Sequence, residues 1–247
     1  MPTKRFVILA ASRTGSSHLR EYLSRHEEVR CFGELLSNHS AVPEGVGRRK
    51  VEKATLLHDV AGLTRSDPIK ALEQIYSRET KKPIVGFKML SKHAPPVMAC
   101  VLADNGVTKI LLYRANALAR YASLLASRET KTWNATPERP KLTFDPADFR
   151  KSTAGYVGFY RKTLATLNER RQPYFLIRND ELDSELRLEQ LLFFLGAQGP
   201  TPPLEGSRVR SRGASDIAGR FANSGDVFDY LKENDLMHWA YEGDAFA

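Results

Sequence analysis

Residues 6–11, Phe-Val-Ile-Leu-Ala-Ala, form an unbroken apolar run that stops at Ser12-Arg13-Thr14-Gly15-Ser16-Ser17. An apolar stretch without alternation suits a strand buried on both faces, as in a parallel sheet. Leu19, Tyr22 and Leu23 then recur at helical spacing. The chain therefore opens as buried strand, polar turn with one glycine, and amphipathic helix. This order commits the rest of the chain to supplying parallel partners and helical covers.

Those partners can be read further on. Residues 84–88 and 109–113 read as strands, and 174–177 as another. Helices are expected over 94–105, 118–128, 147–171, 186–195 and 228–236. Two more fall within 45–82, split near Ser66-Asp67-Pro68, with Pro68 at a first helical position. Residues 130–146 carry three prolines and little periodicity, which predicts a long loop of the kind that often serves as a lid. The expectation is a three-layer, P-loop-like α/β fold with a central, mostly parallel sheet flanked by helices. A single domain spans 1–247. Residues 199–247 are expected to form a C-terminal appendage of that domain.

The first turn has the makings of an anion cradle. A helix N-terminus offers unpaired N–H groups and a partial positive charge. Gly15 lets the backbone curl toward a ligand, Thr14, Ser16 and Ser17 add hydroxyls, and Arg13 adds a forked cation. An ordinary strand-to-helix turn with a serine cap is the plainer reading of the same residues. No lysine follows Gly15, so the loop departs from the G-x-x-x-x-G-K-[ST] pattern of magnesium-dependent phosphate chemistry, and a metal-free site is expected. A second anion signal is Arg114, at the end of the 109–113 strand, with Ser123 nine residues later in a helix. Ligands of open α/β sheets bind outside the carboxyl ends of the strands, so Arg114 should share an edge with the first turn.

These pieces together resemble a known family. The stretch from Arg5 to Leu19 (R-F-V-I-L-A-A-S-R-T-G-S-S-H-L), Gly33-Glu34, and Y-R-A-N-A-L-A-R-Y-A-S over 113–123 are similar to the carbohydrate sulfotransferases. The similarity is to the bacterial branch acting on nodulation factors and lipopolysaccharide. Gly86-Phe87-Lys88, Thr132-Trp133 and the 173–182 stretch lend support. The resemblance implies transfer of a sulfuryl group from 3′-phosphoadenosine 5′-phosphosulfate (PAPS) to a hydroxyl of a carbohydrate or glycolipid. It implies that Arg13, Thr14, Gly15, Ser16 and Ser17 hold the 5′-phosphosulfate, and that Arg114 and Ser123 hold the 3′-phosphate. Two departures stand out: Ser12 occupies a place often taken by proline, and 178–182 reads Arg-Asn-Asp-Glu-Leu where the family has a Y-E-x-L-like turn. The basic 207–213 segment is a further candidate nucleotide contact.

An attacking hydroxyl must lose its proton to a base. Glu34 is the first choice, with His18 and His93 as competitors. Lys88 is a candidate to stabilise the bridging oxygen, and Trp133 to stack on a sugar. Tyr156 and Tyr160 read as core or helix-face residues. The net charge of +8 suits anionic partners and sustains an alternative, a basic nucleic-acid- or polyanion-binding α/β protein without catalysis. Against it stands the lack of any helix-turn-helix, zinc-ligand or RNA-recognition pattern. Two cysteines are too few for a disulfide framework, and the opening apolar run is too short for a secretion signal or a membrane span. The expectation is a cytoplasmic protein.

Overall fold

The computed structural model describes residues 4–35, 63–77, 81–92, 95–129, 141–204 and 215–242. Strand β1 (Lys4–Ala10) sits at the centre of a five-stranded sheet, with Phe6–Ala10 wholly inaccessible to solvent. Its neighbours are β3 (Ile84–Leu90) and β4 (Val107–Tyr113). β2 (Val29–Glu34) lies outside β3, and β5 (Tyr174–Arg178) outside β4. Every pairing is parallel, so the expected mostly parallel sheet is entirely so. Strand β3 runs on to Leu90, two residues past the sequence expectation, because its whole length is buried.

The unbroken apolar run has a direct cause. Successive strand side chains face opposite ways. Val7 and Leu9 enter one core with Ala71, Ile75, Phe87 and Val101. Phe6, Ile8 and Ala10 enter the other with Leu19, Leu23, Ile110 and Leu188. Helix α1 (Ser16–Arg25) and α7 (Glu185–Leu195) cover that second face. Helices α3 (Pro68–Tyr76), α4 (Pro95–Ala103) and α6 (Pro146–Glu169) cover the first. Between α2 (Leu63–Ser66) and α3 the break falls at Asp67, whose carboxylate accepts the Lys70 N–H at 2.9 Å. Pro68 takes the first helical position, as expected.

Helix α5 (Ala117–Glu129), α6 and the C-terminal stretch share a third core. Leu118, Tyr121, Phe149, Phe221, Val227 and Leu231 meet there. Helix α8 runs from Ser224 to Glu233, four residues earlier than the expected 228–236. Its first turn is polar, with Asp226, and so escapes a reading based on apolar spacing; Asp235, at φ 56, follows its end. A two-stranded antiparallel ribbon, β6 (Ser215–Asp216) and β7 (Tyr241–Glu242), brings the chain back toward the main sheet. Among the described residues no helix is long and apolar enough to cross a membrane.

Strand order explains where a ligand can bind. From β1 the chain departs toward β2, and from β4 toward β5 on the other side. The crevice between the carboxyl ends of β1 and β4 is therefore the switch point of the sheet. The turn after β1 and Arg114 after β4 both open into it.

Candidate active site

The turn after β1 is strained and heavily braced. Arg13 has φ 70 and Gly15 φ 89, the left-handed region that costs a residue with a Cβ roughly 1–2 kcal/mol. Thr14 is buried, and its hydroxyl donates to the Ala11 carbonyl at 2.9 Å. The Ala11 N–H donates to the Tyr160 hydroxyl at 3.0 Å, and that hydroxyl in turn donates to the Leu112 carbonyl. Just after β5 the Asn179 side chain donates to the Thr14 carbonyl at 3.4 Å. A strained loop held from three directions is the usual mark of a functional turn. Gly15 is the N-cap of α1, and among the described residues no side chain caps that helix. The plainer serine-cap reading therefore fails, and the first-turn N–H groups of α1 carry no side-chain cap among the described residues.

A second station lies beside it. Arg13 Nε donates to Ser123 Oγ at 2.8 Å, and Arg114 Nη1 reaches the Arg13 carbonyl at 3.5 Å. Burial, and then repulsion from Arg114, pull the Arg13 guanidinium below its ordinary pKa. Two arginines held this close make a receptor for negative charge. The backbone at Arg114 is pinned by Tyr156, whose hydroxyl accepts the Arg114 N–H at 2.8 Å and donates to its carbonyl at 2.9 Å. Tyr156 and Tyr160 thus sit on the helix face as expected, and their hydroxyls fasten α6 to the strand ends. An internal anion already uses Arg114: Glu242 of β7 accepts from its Nε at 2.6 Å and also from its Nη2.

Glu34 and Lys88 complete the edge. β2 pairs with β3 as Phe32↔Phe87 and then Glu34↔Lys88, so Gly33 is an extra residue in a bulge. Without the bulge Glu34 would pair one residue later and miss Lys88. With it, Lys88 Nζ lies 2.9 Å from Glu34 Oε1 and donates to Ser17 Oγ at 3.0 Å. Lys88 is buried, against the plainer reading of a surface lysine, while the Glu34 side chain is 31% exposed. A carboxylate, an ammonium and the mouth of the anion turn are in one hydrogen-bonded line. His18 is buried in the first turn of α1.

The structure therefore brings Arg13, Gly15, Ser16, Ser17, Lys88, Glu34, Arg114 and Ser123 to one edge. Thr14 joins them through its backbone, since its hydroxyl is spent inside the turn. Trp133, His93 and the 207–213 segment lie outside the described residues. The sequence reading missed Glu242, Asn179 and Arg120. The one signal for Asn179 was its place, at the turn over 178–182 that follows β5.

No family model matches the chain. It is 29% identical to nodulation protein H of Rhizobium meliloti over 141 residues, which is 54% of this chain and 51% of that protein. The chain thus matches about half the length of this curated relative. Among solved structures, a sulfotransferase from Alicyclobacillus acidocaldarius superposes with a TM-score of 0.53 at 15% identity, over 97% of this chain and 99% of that one. A mouse sulfotransferase complexed with PAP, the desulfated form of PAPS, gives 0.43 at 12% identity over 95% and 85%, too distant to add weight. The parallel sheet, its helical covers and the near-complete overlap with the bacterial enzyme establish that this chain has the sulfotransferase fold.

Proposed function

We propose that the protein is a sulfotransferase that moves a sulfuryl group from PAPS to a hydroxyl of a carbohydrate or glycoconjugate. The observation that carries this reading is the pair of cationic stations, Arg13 with the α1 N-terminus and Arg114 with Ser123, flanked by the Glu34–Lys88–Ser17 line. The donor set fits a nucleotide charged at both ends of its ribose. The Glu242 carboxylate on Arg114 illustrates what that guanidinium accepts. Arg13, Ser16, Ser17 and the α1 N–H groups would hold the 5′-phosphosulfate, and Arg114 and Ser123 the 3′-phosphate. PAPS, when bound, supplies an activated sulfuryl group.

The chain's own residues do the rest. Glu34 is partly exposed at the edge and takes the proton of the acceptor hydroxyl. Lys88 holds Glu34 in place, and its bond to Ser17 directs positive charge to the turn where oxygen charge grows during transfer. Buried His18 is the poorer base on geometry. A carbohydrate acceptor is supported by the sequence resemblance alone, and an intracellular setting fits two unpaired cysteines.

Thermal shifts with PAP, ADP and ATP test the nucleotide. PAP alone should stabilise the protein, by roughly 2.7 kcal/mol at ~100 times its Kd, and Arg114→Ala should abolish the effect. Equal shifts from all three would refute the reading. Glu34→Gln should keep the PAP shift and lose about 10²–10⁴-fold in sulfuryl transfer from PAPS to a panel of sugars and glycolipids. Undiminished transfer would remove Glu34 as the base.

A further inference from the structure

Beside the first turn lies a cavity of about 380 Å³ between α5 and α6. Ala11 and Ser12 of the turn form one wall, Ser91 and Lys92 after β3 another, and Arg120 and Arg128 of α5 reach it from a third side. Among the described residues none that lines it is acidic. Arg120 is its most unusual component. The residue is only 5% exposed, yet its guanidinium meets only neutral oxygens, Ser152 Oγ at 2.7 Å and the Ser152 carbonyl at 3.1 Å, and lies over the Tyr156 ring at 4.4 Å. Its Nε is buried with no hydrogen-bond partner among the described residues. Burial first, and then Arg114 and Arg128, hold its pKa below the ordinary value, and the groups that offset this are the phenols of Tyr156 and Tyr160. A buried cation with an unused donor and no carboxylate among the described residues is costly unless an anion compensates it.

We propose that this cavity is an anion subsite for the acceptor, and that Arg120, with Arg128 at the rim 3.7 Å from Asp148, receives a carboxylate or phosphate carried on the hydroxylated substrate. The inference rests on the sulfotransferase reading and narrows its substrate to anionic acceptors. Because Ser12 belongs both to the cavity wall and to the donor turn, a group held at Arg120 leaves the rest of the acceptor beside the transfer end.

The test uses the whole protein, with and without saturating PAP, titrated with glucuronate, glucose 6-phosphate, inorganic phosphate and neutral glucose. The sugar acids or phosphates should raise the melting temperature and glucose should not. Arg120→Met should weaken that binding about tenfold or more, the loss of a charge-assisted pair. Gly155→Leu provides a second variant. Gly155 is helical and lines the cavity, and a Cβ there meets nothing within 4 Å, so the side chain should fill the space without disturbing the fold. It should abolish the anion response and leave the PAP shift intact. Anion binding unchanged in both variants, or competition between the sugar anions and PAP, would overturn the proposal. Failure of PAP itself to bind would instead strike the sulfotransferase reading, while loss of the anion response in Arg120→Met and Gly155→Leu still reports on the cavity.

Discussion

Glu242 competes for the arginine that the nucleotide needs. Both partners are largely covered, with side-chain exposures of 16% for Arg114 and 25% for Glu242, and the carboxylate is gripped by two guanidinium nitrogens. Exposed ion pairs contribute at most about 1 kcal/mol, and charge-assisted bonds away from water about 1.5–3 kcal/mol. A forked, partly covered pair falls between, at about 1–2 kcal/mol. The 3′-phosphate of PAP must displace this carboxylate to reach Arg114, so that free energy opposes nucleotide binding. Glu242→Gln removes the charge while keeping the shape of β7 and its pairing with β6. PAP should then bind about 5–30-fold more tightly by isothermal titration, and the gain should vanish when Arg114 is replaced by alanine. An unchanged Kd would mean that Glu242 and the phosphate do not meet at Arg114. Weaker binding would mean that the carboxylate supports the site by positioning Arg114. Either result refutes the competition.

Two further outcomes concern stability. In Gly15→Ala the new Cβ would lie 2.8 Å from Asn179 Nδ2 and 2.9 Å from Leu182 Cδ1, at φ 89. Strain of about 1–2 kcal/mol and crowding of about 1–3 kcal/mol should lower the melting temperature by roughly 5–15 °C, and a drop under about 2 °C would show that the turn is softer than its braces imply. Lys109 is wholly buried, bonded to the Asp104 carbonyl and to Gln172, and burial pulls its ammonium down to about 8. Between that value and its unfolded pKa of about 10.4 the unfolded chain binds the extra proton, so this residue makes stability rise with pH through that window, by on the order of 3 kcal/mol. Urea midpoints at pH 7.5 and 9.5 should therefore climb in the wild type relative to Lys109→Met; parallel changes in the two proteins would remove Lys109 as the cause.

How much of this was legible depends on whether a residue's role is set by its neighbours in sequence or by a distant register. The 6–11 run announced a doubly buried strand because both faces of β1 are covered, and the side-chain pattern alone carries that information. Pro68 and the Asp67 cap were equally legible, being local chemistry. Arg13, Gly15, Arg114 and Ser123 could be named because a strand end followed by a helix puts them on one edge whatever the strand order. Glu34 and Lys88 were named separately, but their contact depends on a one-residue bulge at Gly33 that no periodicity betrays. Tyr156 and Tyr160 looked like packing residues because their spacing is that of a helix face. Their hydroxyls matter only once α6 crosses the ends of β1 and β4. Glu242 was invisible for the same reason at longer range: it lies 128 residues from its partner and returns through a ribbon of two short strands. Arg120 is the instructive exception, since it stands three residues before Ser123 and so shares its helix side. An arginine at an otherwise covered position of a helix, with no carboxylate three or four residues away to pair with it, already asks what anion it serves.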